Sequence, residues 1–134
     1  MARAMLPPAV ASYYAALDAG DDDAAAAAFA ENAVYIRPAL EPAGGDGIEV
    51  FRGRAAIRDL FERRSARKQF GDNLHHHEFR SAAVEGADCF IEGTGVTDRG
   101  PFAVFLAHAT LGDDGLITRY IGVFAETAGV AVPD

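Results

Sequence analysis

The sequence predicts one small α+β domain, a strongly curved antiparallel sheet wrapped around three helices and enclosing a largely apolar pocket. Three observations carry this. Apolar residues recur at helical spacing near the start and again around residue 60. After residue 74 the chain is four long strand-like segments joined by hairpin turns. Half of the 134 residues are apolar and 24% are charged, enough for one core and too few residues for two ordinary ones.

Pro8 suits the first position of a helix in which Val10, Tyr13, Tyr14 and Leu17 share a face, and Gly20 ends it. One of Asp21, Asp22 and Asp23 can cap a second, short helix through the alanine tract to Phe29. Val34-Tyr35-Ile36-Arg37 reads as a strand halted by Pro38, residues 41–47 as a loop, and residues 48–51 as a short strand closed by Gly53. A third helix spans residues 54–70, with Ile57, Leu60 and Phe61 as its apolar stripe. The remaining strands are expected at residues 74–84, 89–97, 102–111 and 116–125. Their connections are Glu85-Gly86-Ala87-Asp88, Asp98-Arg99-Gly100-Pro101 and Gly112-Asp113-Asp114-Gly115. Residues 1–134 form a single domain, with 126–134 as its tail. Consecutive hairpins make an antiparallel meander, and the helices cover its apolar face.

Composition narrows the function. A net charge of −8 repels nucleic acid, and Arg63-Arg64 to Arg67-Lys68, beside Asp59 and Glu62, read as a solvated helix face. No apolar run approaches the ~20 residues of a membrane span, and Pro7-Pro8 interrupt any signal-peptide core, so a cytoplasmic protein is expected. Cys89 is the only cysteine, which rules out an internal disulfide. His75-x-His77 lacks the later glutamate of a cupin metal site, with Ser81 and Ala82 in its place. Asp21-Asp22-Asp23 lacks calcium-loop spacing, and Gly44-Gly45-Asp46-Gly47 lacks the lysine of a phosphate loop. Neither a metal nor a cofactor is expected.

Strand alternation places His75, His77, Phe79, Ser81 and Ala83 on one face, and the wetter His76, Glu78 and Arg80 on the other. Tyr35 and Arg37 share a face, as do Thr118, Tyr120, Gly122 and Phe124. Phe105 lies with Ala103, Ala107 and Ala109, opposite His108. Polar groups aimed at an apolar interior cost free energy unless paired, which marks them as a candidate site.

The segments Tyr13-Tyr14-Ala15-Ala16-Leu17-Asp18-Ala19-Gly20-Asp21 and Phe29-Ala30-Glu31-Asn32-Ala33-Val34 resemble the nuclear-transport-factor-2-like superfamily, in its SnoaL-like and ketosteroid-isomerase-like branch. So do Phe51-Arg52-Gly53-Arg54-Ala55-Ala56-Ile57-Arg58 and Asp114-Gly115-Leu116-Ile117-Thr118-Arg119-Tyr120. The fold hosts isomerases, dehydratases, cyclases and non-catalytic modules. Tyr13 falls where the ketosteroid isomerases hold an oxyanion-hole tyrosine. Arg37 stands in place of their general base and Ala107 in place of their second acid, so that route fails. The superfamily's dehydratases resemble this chain better. Their aspartate ends the first helix and their histidine follows the third, which implies Asp18 with His75 or His77, and Tyr13 beside them.

These residues imply a cofactor-independent lyase or isomerase, of dehydratase or cyclase type, acting on a small apolar or weakly acidic carbonyl or hydroxyl compound. Tyr13, Asp18, His75 and His77 are the catalytic candidates. Tyr14, Tyr35, Arg37, Phe105, Tyr120 and Phe124 are the substrate-binding ones. Helix geometry alone pairs Tyr14, not Tyr13, with Asp18 at i and i+4. Asp18 suits equally the turn that follows it. Arg37 would hold a ligand oxyanion, or bridge to Glu92 or Asp18. The alternative is a non-catalytic ligand-binding or dimerisation module, and the resemblance implies a homodimer through the outer sheet face.

Overall fold

The computed structural model describes residues 5–38, 47–69 and 74–133, with side chains over 5–38, 47–66 and 76–133. The first helix, α1 (Pro8–Ala19), starts on a proline whose missing N–H the first turn does not need. It stops at Gly20, whose φ of 73° is left-handed. The amides of Gly20 and Asp21 close the end on the carbonyls of Leu17 and Ala16, at 3.1 and 2.9 Å. That closure leaves the Asp18 side chain out of the turn. Six-residue α2 (Asp22–Ala27) is capped by Asp21, which accepts from the Ala24 amide at 3.0 Å. It is too short to persist on propensity. Asp22 and Asp23 tie it to α3 (Arg54–Gln69), through Ser65 at 2.5 Å and Arg58 at 2.6 Å.

Phe29, expected in the second helix, instead opens β1 (Phe29–Pro38), where it is fully buried against Tyr13 and Phe61. Six strands make one sheet in the order β2-β1-β6-β5-β4-β3. The others are β2 (Ile48–Arg52), β3 (Leu74–Glu85), β4 (Asp88–Thr97), β5 (Gly100–Leu111) and β6 (Ile117–Glu126). Strands β3 to β6 are consecutive and joined by short turns, so they are antiparallel by necessity. No turn joins β1 to β6, and these two pair in parallel, which makes the sheet mixed rather than wholly antiparallel. The loop expected at 41–47 lies, but for Gly47, outside the described residues.

Two irregularities in β3 decide which side chains reach the interior. The register steps from Leu74↔Thr97 to His76↔Val96, and from Phe79↔Gly93 to Ser81↔Glu92, so His75 and Arg80 are extra residues in the ladder. The second step resets the alternation. Phe79 and Ala82 pack on the core, while Ser81 and Ala83, expected beside His77, are exposed on the outer face.

Between sheet and helices lie Val10, Tyr13, Tyr14 and Leu17 of α1 and Ile57, Leu60 and Phe61 of α3. Phe29, Cys89, Ile91, Ile117 and Tyr120 meet them from the sheet. Each large side chain removed from water here contributes ~1.5–3 kcal/mol. No described helix is long and apolar enough to cross a membrane.

Candidate functional site

Asp18 leaves α1 one helical turn after Tyr14, on the same face. Its carboxylate lies 2.7 Å from Nδ1 of His77 on β3. The His77 backbone amide also donates to it, 3.2 Å from Oδ1 and 3.3 Å from Oδ2. The carboxylate therefore holds both the main chain and the ring of one residue. With Nδ1–H donated to Asp18, the neutral imidazole carries its lone pair on Nε2. The pair is shielded but reachable, with side-chain exposures of 12% for His77 and 15% for Asp18.

Aromatic rings form a collar around His77. Tyr14 lies 5.2 Å away centroid to centroid, and Phe105 meets the imidazole edge-on at 5.5 Å. Phe79 packs against both Tyr14 and Phe105, at 4.9 and 6.2 Å. Phe105 takes this position because residue 93 is glycine. A Cβ there would stand 2.5 Å from the Phe105 ring and 2.5 Å from the Glu78 carbonyl. Strand alternation set Phe79 on the face of His77 without marking it as a site residue, and Gly93 was not singled out. The glycine alternation of Gly93 and Gly95 was the available signal for a close approach.

All four tyrosines of the chain converge next to this collar. The Tyr14 and Tyr120 hydroxyls are 2.6 Å apart, those of Tyr13 and Tyr35 are 2.9 Å apart, and the Tyr35 and Tyr120 rings stack at 4.7 Å. Both candidate tyrosines of α1 thus turn inward, with different neighbours. The Tyr14 ring touches His77 while its hydroxyl goes to Tyr120, and Tyr13 points to Tyr35. Burial first, and then neighbouring phenols, push the Tyr13 hydroxyl well above tyrosine's ordinary pKa. Burial likewise raises Tyr14 and Tyr120 strongly and Tyr35 to a lesser degree. These phenols are neutral donors and acceptors, not bases.

Arg37 finds a different partner from those expected. Its Nε donates to Glu49 of β2 at 3.2 Å, and its guanidinium lies 5.4 Å over the Phe51 ring. The register Arg37↔Glu49 puts these two side by side, so neither Glu92 nor Asp18 is involved. Glu92 faces Arg80 across the strands at 3.4 Å, on an exposed surface. Phe124 is in register with Phe105 but 42% exposed, away from the buried cluster around Tyr120. The His75 side chain lies outside the described residues.

The outer face holds a second Asp–His contact. His108 Nε2 is 2.8 Å from Asp88, which also accepts from the Thr110 hydroxyl at 2.9 Å, and the His108 ring stacks on Phe90 at 4.4 Å. The hydrogen bonds from His108 and Thr110 hold the Asp88 carboxyl below its ordinary pKa. Beside it lies a shallow concavity of about 500 Å³ between Phe90, Leu106, Ile121 and Val123.

One mixed, curled sheet of six strands closed by three helices, with an Asp–His pair and an aromatic collar between them, defines an α+β domain of the cystatin-like class. Within it, the sequence model of the SnoaL-like domain matches residues 10–120, and the chain belongs to that family. No protein of curated function matches it in sequence. Solved structures agree on the fold. A candidate polyketide cyclase from Sinorhizobium meliloti is 21% identical with a TM-score of 0.67, over 91% of this chain and 99% of that one. A candidate ketosteroid isomerase from Kribbella flavida is 16% identical with a TM-score of 0.64, over 96% and 82%. A protein of ketosteroid-isomerase-like fold from Catenulispora acidiphila, in complex with trimethylamine, is 20% identical with a TM-score of 0.65, over 87% and 84%.

Proposed function

We propose that the protein is a cofactor-independent lyase or isomerase, of dehydratase or cyclase type, acting on a small apolar carbonyl or hydroxyl compound with His77 as general base. The observation that carries this reading is the 2.7 Å contact from Asp18 to His77 Nδ1, made by a carboxylate already fixed to the His77 amide. Asp18 thereby sets the tautomer and stabilises the imidazolium that forms. Nε2 takes the proton from a carbon beside the substrate carbonyl, and the C–H electron pair moves onto the carbonyl oxygen. In a dehydration the enolate re-forms its carbonyl and expels a β-hydroxyl. The imidazolium returns its proton to that group, and water leaves. The substrate sits against Phe79 and Phe105, both only partly buried. That a fold neighbour holds trimethylamine is consistent with a cone that admits a small molecule.

The second reading, a non-catalytic binding module, is favoured by the four tyrosines whose rings and paired hydroxyls fill much of the interior. Screening steroids, aromatic acids and polyketide-like ketones by thermal shift and for turnover, in wild type and His77→Ala, separates the two. The catalytic reading expects a hit whose turnover falls by about 10²- to 10⁴-fold in the variant. Hits that stabilise both proteins equally and are never converted would leave only the module.

The same reading includes a homodimer through the outer sheet face. Phe90, Leu106 and Val123 are 47%, 57% and 45% exposed there, flanking the concavity. A contiguous apolar patch on a sheet calls for cover. Sedimentation should give a dimer for wild type and a monomer for Leu106→Glu. A monomeric wild type at tens of micromolar would remove the proposal.

A further inference from the structure

Three guanidiniums gather where α3 meets the ends of β1 and β2, in a chain whose net charge is −8. Arg37 and Arg63 lie 5.4 and 5.8 Å from the centroid of one ring, Phe51. Arg64 follows Ile57 and Phe61 at i+7 and i+3, so it continues the stripe with which α3 packs into the interior. It is half-buried, and among the described residues no carboxylate pairs with it. Burial raises the Tyr13 and Tyr35 hydroxyls, and the charge of Arg64 offsets a small part of that at both while Arg37 does so at Tyr35, so Tyr35 lies within the field of both arginines. Glu49 compensates Arg37, and Arg63 is exposed to water. One shielded guanidinium is left over. Beside it, Tyr35 meets Phe51 and Phe61 edge-on, with ring centroids 6.5 and 5.8 Å apart, an apolar floor of crossed rings.

We infer that Arg64, with Arg37 and Arg63 beside it, receives the carboxylate of an organic acid whose apolar body rests on Tyr35 and Phe51. A planar guanidinium fork matches a carboxylate, and a single uncompensated charge calls for a monoanion. This rests on the reading of the interior as a small-molecule site, and names the charged end of that molecule.

The test titrates benzoate and cinnamate, each against its neutral amide, into wild type, Arg64→Met, Arg64→Lys and His77→Ala, followed by amide NMR shifts and calorimetry. Wild type should bind the acids several-fold more tightly than the amides, with the largest shifts at Tyr35 and α3. The preference should vanish in Arg64→Met, survive in part in Arg64→Lys and persist in His77→Ala. Equal binding of acid and amide, no saturable binding of either acid in the millimolar range, or an undiminished preference in Arg64→Met would overturn the inference. Should Arg64→Met not fold, an undiminished preference in Arg64→Gln would do so too. A carboxylate preference without turnover strikes the catalytic reading and leaves the receptor. Turnover of neutral compounds without that preference does the reverse.

Discussion

The two faces of the sheet carry the same contact in different surroundings. Inside, Asp18 meets His77 at 2.7 Å; outside, Asp88 meets His108 at 2.8 Å. Distance does not tell them apart. The inner carboxylate also binds the histidine's own amide and works through Nδ1, and both side chains are at most 15% exposed. The outer pair works through Nε2, shares Asp88 with Thr110, and is 30% and 42% exposed. Water screens the outer pair and competes for it, while the inner one is held in a collar of rings where a proton transfer would be sheltered. An Asp–His contact is thus a candidate base only where burial and neighbouring shape make it one.

Removing the carboxylates should separate the pairs most sharply. Asp18→Ala leaves the His77 amide and Nδ1 without their acceptor in a shielded place, and should cost about 1–3 kcal/mol in urea unfolding. Asp88→Ala should shift the midpoint much less, because water replaces the lost partner. Equal losses would mean that the two faces are energetically alike, and the comparison would fail.

Titration gives a smaller, complementary contrast. The inner phenols are raised by burial, so their neutral forms favour the folded state. That contribution is complete below tyrosine's unfolded pKa of ~10 and is lost as pH rises above it. Tyrosinate absorbance should therefore appear together with the loss of near-UV circular dichroism above pH ~10, and a phenolate signal from a fully folded protein would contradict this packing. Asp88 shifts the other way. Its depressed pKa contributes stability above the usual carboxylate range that fades as pH falls through it, a slight effect on an exposed group.

Within the inner site, the sequence offered both His75 and His77 through strand alternation, Asp18 through its resemblance to the dehydratases, and Tyr14 through its i, i+4 relation to Asp18. It left Tyr13 and Tyr14 as rivals, because consecutive residues on a helix point about 100° apart and only the packing partners show that both directions are interior. It missed the bulge at Arg80, since an extra residue in a ladder leaves no mark in an alternating pattern. Ser81 and Ala83 were consequently placed on the wrong face. For Arg37 the strand was right and the partner wrong: Glu49 comes from register with β2, a relation that local spacing does not contain. Arg64 was readable as an extension of the Ile57–Phe61 stripe, but its neighbours Arg63 and Glu62 disguise it as part of a solvated face.

The sequence by itself determined what depends on near neighbours: where α1 stops at Gly20, which strands are hairpins, and that polar residues interrupt an apolar interior. Those follow from backbone preference and period, which act over a few residues. Tertiary structure alone decided the parallel pairing of β1 with β6, the meeting of all four tyrosines and the separate fates of two Asp–His pairs. Each of these joins segments far apart in the chain, and the balance of burial, register and charge that selects them exists only once the sheet has closed around the helices.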